Sequence, residues 1–311
     1  MDVDNSSGTT ANGAVASSSS AGGFSLDADT FKKIHPTEYH RRFLSQGVRA
    51  DGRELLRFRK AIVTVGVIST AHGSAMVRLG DTTVICGVKA EVTEPKPAAP
   101  KHGFLVPNVD LPPICSPNSR PGPPSELAQT VSEYIDQVVK GSELLNAQDL
   151  CIEPGHAVWV LYADIVCLNH DGNILDAALI ALGAALRHVR LPKATYNDEL
   201  GGTVRVAEEK TIALKIRRSL VPVTFGVFDS ITPLADPTFD EEPHLSSRIS
   251  YILSHLSTST PSDAIQLAGL YNPGGAPVTR ATMTTCLAQA KKRAKEILAL
   301  VDEAFTDVIG V

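Results

Sequence analysis

An α+β fold is what this sequence predicts, and three observations carry the prediction. Residues 159–168 form an apolar run rich in β-branched and aromatic side chains, as a buried strand requires. A polar turn, His170-Asp171-Gly172-Asn173, separates that run from residues 174–186, which are apolar on nearly every side. A helix without a polar face has to be buried, so this strand–turn–helix unit belongs at the centre of a domain. The other strand candidates come in groups between long helices and do not alternate strictly with them, which favours α+β over a doubly wound sheet.

The elements follow in chain order. Residues 1–26 are Ser, Gly, Ala, Thr and Asn with almost nothing to bury, the composition of a disordered tail. Pro36 suits the first turn of a helix carrying Tyr39, Phe43 and Leu44 and ending near Gly47. After the polar turn 48–54 come strands at 61–68, 74–79 and 82–91, the last two joined by a hairpin at Gly80-Asp81. Residues 95–124 hold ten of the twenty prolines, so they form a long loop with at most one edge strand, at 104–111. Leu127, Val131, Tyr134, Ile135, Val138 and Val139 then recur at helical spacing within 125–145. Beyond the buried helix, residues 191–197 read as a linker. Strands are expected at 203–206, 211–216, 221–228, 248–255 and 265–271, with an acidic turn at 236–243. A last amphipathic helix covers about 279–305, with Met283, Leu287, Ala290, Ala294, Ile297, Val301 and Phe305 on one face. The second half loosely repeats the first, which gives the division 1–26 tail, 27–192 first domain and 193–311 second domain.

Composition sets the function classes. The chain has 311 residues, 43% of them hydrophobic and 20% charged, enough for a sizeable core. Its net charge of −5 argues against a free-standing nucleic-acid binder, which is usually basic. Five cysteines without C-x-x-C spacing read as reduced thiols, and the nine histidines show no metal-ligand spacing. No cofactor or metal is expected. No apolar run approaches a membrane span, and the first basic residue is Lys32, so a secretory signal or transit peptide does not fit. Cytoplasm, nucleus or both is the expected compartment.

Several stretches together resemble the RNase PH family of phosphate-dependent exoribonucleases. They are Arg49-Ala50-Asp51-Gly52-Arg53, the hairpin from Gly73 to Val84, the strand and turn from Tyr162 to Asn173, and Leu234-Ala235-Asp236-Pro237-Thr238. They occur in the family's order, and the resemblance covers about residues 31–305. Asp236-Pro237-Thr238 before Asp240-Glu241-Glu242, and Gly122-Pro123-Pro124 before a helix, resemble the eukaryotic exosome ring subunits related to the non-catalytic archaeal ring subunit. The resemblance implies a ribosomal protein S5 domain 2-like (RNase PH) fold with a second RNase PH-type domain. It also implies partners: other RNase PH-like ring subunits, RNA-binding cap subunits, and single-stranded RNA in the assembled channel, with no membrane. The compartments implied are nucleus, nucleolus and cytoplasm.

The same resemblance bears on catalysis. Phosphorolysis must hold two anionic groups close together, which requires cations and backbone donors at a helix start, and a carboxylate. Catalytic members resemble one another in a Gly-Thr-Arg-like sequence after the Asp-Gly turn. Here those positions carry Ile174 and Leu175, which cannot bind an anion, and Asp176 adds a negative charge. Catalytic members also carry a Glu-Ala-Asp-like stretch after the acidic turn, where this chain has His244-Leu245-Ser246-Ser247-Arg248. No catalytic residue is therefore assigned, and a ring subunit without its own chemistry is expected. The alternatives are an active phosphate-dependent 3'-to-5' exoribonuclease with a rearranged site and an interaction protein outside a ring.

Acidic runs are usually solvated turns, so Asp236, Asp240, Glu241 and Glu242 are expected at the surface and no metal is assigned to them. Lys89 and Glu91 also read as surface residues. For RNA contact the candidates are Arg120, Lys101, His102 and Lys96 in the proline-rich loop, because sequence-tolerant strand binding uses such basic side chains. Arg120 ranks first, since the prolines after it hold its backbone at small entropic cost. Lys291, Lys292, Arg293 and Lys295 read as the wet face of the last helix.

Overall fold

The computed structural model describes residues 28–117, 119–197, 203–256 and 265–309. The tail expected at 1–26 lies outside them.

Two short helices, α1 (Ala28–Ile34) and α2 (Pro36–Leu44), open the described chain. The first sheet contains β1 (Ala61–Val65), β2 (Gly73–Leu79), β3 (Thr82–Thr93), β4 (Phe104–Asp110), β5 (Cys151–Glu153) and β6 (Ala157–Asn169). Its order is β1-β2-β3-β6-β4, with β5 paired to β6. The expected hairpin joins β2 to β3, with Leu79 opposite Thr82. β4 runs parallel to β6 at the sheet edge, where Pro107 has no ladder bond to lose. On its other side Val109 N–H donates to Ser132 Oγ at 2.8 Å, which ties the strand to α3 (Glu126–Ser142). Ser125 caps α3 by accepting from Ala128 N–H.

α4 (Ile174–His188) is buried on every side, as its composition requires. One side packs on β2 and β3, and another on β9 (Arg218–Phe228) of a second sheet. That sheet has the order β10-β9-β11-β12, with β10 at Thr232–Ala235, β11 at Ser247–Leu256 and β12 at Gln266–Tyr271. The last helix, α5 (Arg280–Ile309), covers β1 and β9 and buries Cys286, Ala290, Ala294, Ile297 and Phe305. One hydrophobic core runs through both sheets and α4. Among the described residues no helix is long and apolar enough to cross a membrane.

Two expectations need correction, and two short strands were not anticipated. Residues 191–197 are not a linker: they lie in β7 (Arg190–Asn197), which pairs with β8 (Thr203–Ala213) in a two-stranded ribbon. Pro192 is tolerated there because the register shifts on both sides of it. The strands expected at 203–206 and 211–216 are largely one strand, β8, since a ribbon outside the main sheets accepts the polar residues between them. β10 carried no turn signal, because its hairpin with β9 turns through Asp229 and Ser230, at φ 48° and 62°, without glycine. β5 is three residues long and too short for a periodicity. The five cysteines are free, and all but the half-buried Cys151 are buried.

Candidate functional site

The turn between β6 and α4 sits where the two sheets meet, and its backbone is held from three directions. Thr82 Oγ1, at the start of β3, donates to the Gly172 carbonyl at 2.7 Å. Gly172 has φ 77°, and a Cβ there would lie 2.6 Å from the backbone of Thr238 and Phe239, so the acidic turn presses directly against it. Gly172 N–H donates to His170 Nδ1 at 3.1 Å. Burial, with Arg59 nearby, lowers His170 to about 4, so the ring stays neutral and that nitrogen remains an acceptor.

Asn173 follows in the left-handed region at φ 54° and begins α4. Its backbone N–H donates to Glu242 Oε1 at 2.7 Å. The end of the helix that attracts anions thus already holds an internal carboxylate. Burial pushes the Glu242 carboxyl above its usual range. Asn173 Nδ2 donates to Asp236 Oδ1 at 2.7 Å and to Asp176 Oδ2 at 2.8 Å. Asp176 also accepts from Thr224 N–H (2.9 Å) and Thr224 Oγ1 (2.7 Å), and burial raises its carboxyl to about 6. Ile174 and Leu175 are packed in the core.

The acidic turn is not a solvated run, which corrects the expectation from charge alone. Asp236 and Glu241 are 3% and 5% exposed, and each is matched by a buried arginine. Arg59 Nε and Nη2 bond the two Asp236 oxygens, both at 2.8 Å. Arg59 Nη1 donates to the Asp171 carbonyl at 2.6 Å and to Asp171 Oδ2 at 3.0 Å. Arg49 donates from Nε to Glu241 Oε1 at 2.9 Å, from Nη2 to Glu241 Oε2, and from Nη1 to the Ala235 carbonyl at 2.5 Å. Burial alone would raise both carboxyls, but the arginine hydrogen bonds and charges outweigh it and hold Asp236 and Glu241 below the usual range. Asp240 does reach solvent, paired with Lys32 at 2.5 Å. Among the described residues, no group of three or more potential ligands converges as a metal site would require.

Neither buried guanidinium keeps a nitrogen free of protein partners, and the helix start is occupied. An incoming phosphate would have to displace Glu242 and compete with Asp236 for Arg59. The segment 244–248 is equally committed: Leu245 packs against Gly226, and Ser246 Oγ donates to the Val227 carbonyl at 2.8 Å.

The RNA-contact candidates lie apart from this turn. Lys96, Lys101 and His102 are exposed on the loop entering β4, with the Lys96 ammonium 5.3 Å from the Phe104 ring centre. Arg120 is exposed on the segment that follows the opposite end of β4. The structure groups the first three and separates Arg120 from them. Lys89 and Glu91 form an exposed ion pair at 2.9 Å, as expected. Lys291, Lys292 and Lys295 are exposed, but Arg293 turns inward and donates to the Arg59 carbonyl at 2.7 Å. Arg59 itself carried no sequence signal. Arg49 was visible within the R-x-D-G-R stretch, though its burial was not.

Comparison with known proteins gives the family. The family model described as "3' exoribonuclease family, domain 1" matches residues 57–192. The exosome complex component rrp43 of Schizosaccharomyces pombe is 39% identical over 269 residues, covering 86% of this chain and 96% of the relative. The exosome complex component Rrp42 of Pyrococcus abyssi is 36% identical over 261 residues, covering 84% and 91%. Among solved structures, the Archaeoglobus fulgidus exosome with RNA bound to the active site contains a chain with TM-score 0.71 and 29% identity, covering 85% of this chain and 96% of that one. An archaeal exosome core chain aligns at TM-score 0.66 and 26% identity, covering 86% and 97%.

Proposed function

The chain belongs to the RNase PH family, and from that premise we propose that it is an exosome ring subunit that supports 3'-to-5' RNA processing through assembly and lining of an RNA path, with no phosphorolysis of its own. The single observation that carries the second half is the start of α4. The Glu242 carboxylate occupies the donor that would meet phosphate, and Ile174 and Leu175 are packed into the core. Arg59 and Arg49 do not compensate, because Asp236, Asp171 and Glu241 already hold them. Asp236 and Glu241 are thus structural counterions of Arg59 and Arg49.

In this reading residues 27–192 and 193–311 are two RNase PH-type halves, supported by the two sheets that flank α4. Lys96, Lys101, His102 and Arg120 are the RNA contacts of the assembled ring, supported by their exposure around β4. The partners are other RNase PH-like subunits and RNA-binding caps, and the compartments are nucleus, nucleolus and cytoplasm.

Two measurements test the proposal. Native mass spectrometry of the tagged chain purified from its own cells is expected to return a large complex of different RNase PH-like subunits. A homo-oligomer of this chain would overturn the ring reading. The purified chain, given RNA and inorganic phosphate, is expected to release no nucleoside diphosphate. Phosphate-dependent release would overturn the assignment of Glu242 as a blocking group.

A further inference from the structure

Away from the α4 turn, one surface combines stacked aromatic rings with positive charge. His156 and Tyr196 stack with ring centroids 4.9 Å apart and planes 24° from parallel, and the Tyr196 hydroxyl meets His156 Nδ1 at 3.2 Å. His156 is exposed and Tyr196 half-buried, so ring surface remains open to solvent. The pair joins two distant segments, the turn between β5 and β6 and the strand β7. Gly155 N–H in that turn donates to the Pro100 carbonyl at 2.9 Å, which sets the exposed Lys101 and His102 beside the stack. Residues 190–218 carry seven basic and four acidic side chains, although the whole chain is at −5.

Sequence-tolerant binding of a single strand needs two things together: a flat π-face for a base and nearby cations for the flanking phosphates. The stack supplies the first, with the hydroxyl–imidazole hydrogen bond holding both rings in place. Lys101 supplies the second. We propose that His156 and Tyr196, flanked by Lys101 and His102, form a stacking platform for one base of single-stranded RNA. The proposal rests on the ring-subunit reading, which brings RNA to this chain. It adds an aromatic contact to the basic loop residues.

The experiment uses the ring reconstituted from this full chain and its neighbouring subunits, with a 4-thiouridine-containing single-stranded RNA. Ultraviolet crosslinking and peptide mass spectrometry are expected to place crosslinks on the turn 153–156 and on β7. His156→Ala with Tyr196→Ala is expected to remove them and to weaken RNA binding about five- to tenfold. Tyr196→Phe keeps the ring and is expected to bind within about twofold of the wild type. RNA crosslinks confined to other loops of this chain would overturn the platform and leave the ring reading standing. Protein–protein crosslinks showing Lys101 and His156 covered by a neighbouring subunit would also overturn the platform, assigning the patch to docking. A chain that does not assemble, or a ring in which RNA never crosslinks to it, would overturn both.

Discussion

The buried charges around the α4 turn behave as matched sets, and single substitutions should reveal that. Arg49 is 1% exposed and its main partner is Glu241, so Arg49→Ala leaves a buried carboxylate without its counterion. We expect a loss of about 3–5 kcal/mol in urea unfolding, and a much smaller loss for Arg49→Met combined with Glu241→Leu. Asp176 makes the opposite contribution with pH. Its folded value of about 6 lies above the ordinary 3.8, so the folded state binds the proton more tightly. The stability this adds is present at low pH and is lost as pH rises from about 4 to about 6. Relative to wild type, Asp176→Asn should therefore gain stability over that window, by up to about 3 kcal/mol, read from unfolding curves at successive pH values. Asp236 and Glu241 are shifted down, so their contribution runs the other way and is lost on acidification. From sequence alone Asp176 was legible as a charge at a helix start. That Thr224 of β9 closes over it was not, because a contact across 48 residues leaves no local pattern.

At the scale of elements, glycine positions separate local need from tertiary need. Gly52 has φ 80° with nothing within 4 Å of a Cβ, whereas Gly172 has φ 77° and the acidic-turn backbone at 2.6 Å. Gly52→Ala should cost about 1–2 kcal/mol, the backbone term alone. Gly172→Ala should cost about 3 kcal/mol or more, because the turn 237–239 must also move. Thermal unfolding of the two variants side by side decides this, and equal losses would mean that the turn yields freely. The Asp-Gly turn was readable from sequence, as were β2, β3, β6, α3, α4 and α5, since each has a local period or a breaker. The ribbon of β7 and β8 was not. It contains a proline and a polar stretch, and it is stabilised by a cross-strand ladder that a single segment cannot advertise.

For the whole molecule, α4 is the element that makes two sheets into one body. Its apolar surface packs on β2 and β3 from the first half and on β9 from the second. A fragment of residues 28–192 therefore leaves one side of α4 without cover. We expect that fragment to aggregate or to bind a hydrophobic dye strongly, unlike the full chain. A monomeric fragment with a cooperative unfolding transition would show that the halves are independent. The sequence by itself determined the α+β class, the central strand–turn–helix unit, the family resemblance and the apolar Ile174 and Leu175 after the Asp-Gly turn, because all of these are written in local order and residue type. Only the tertiary structure decided that Glu242 accepts from the start of α4, that Arg49 and Arg59 are consumed as internal counterions, and that His156 meets Tyr196 at the surface. Each of those depends on which distant segments share a few ångströms, and that is set by how two sheets close on one helix.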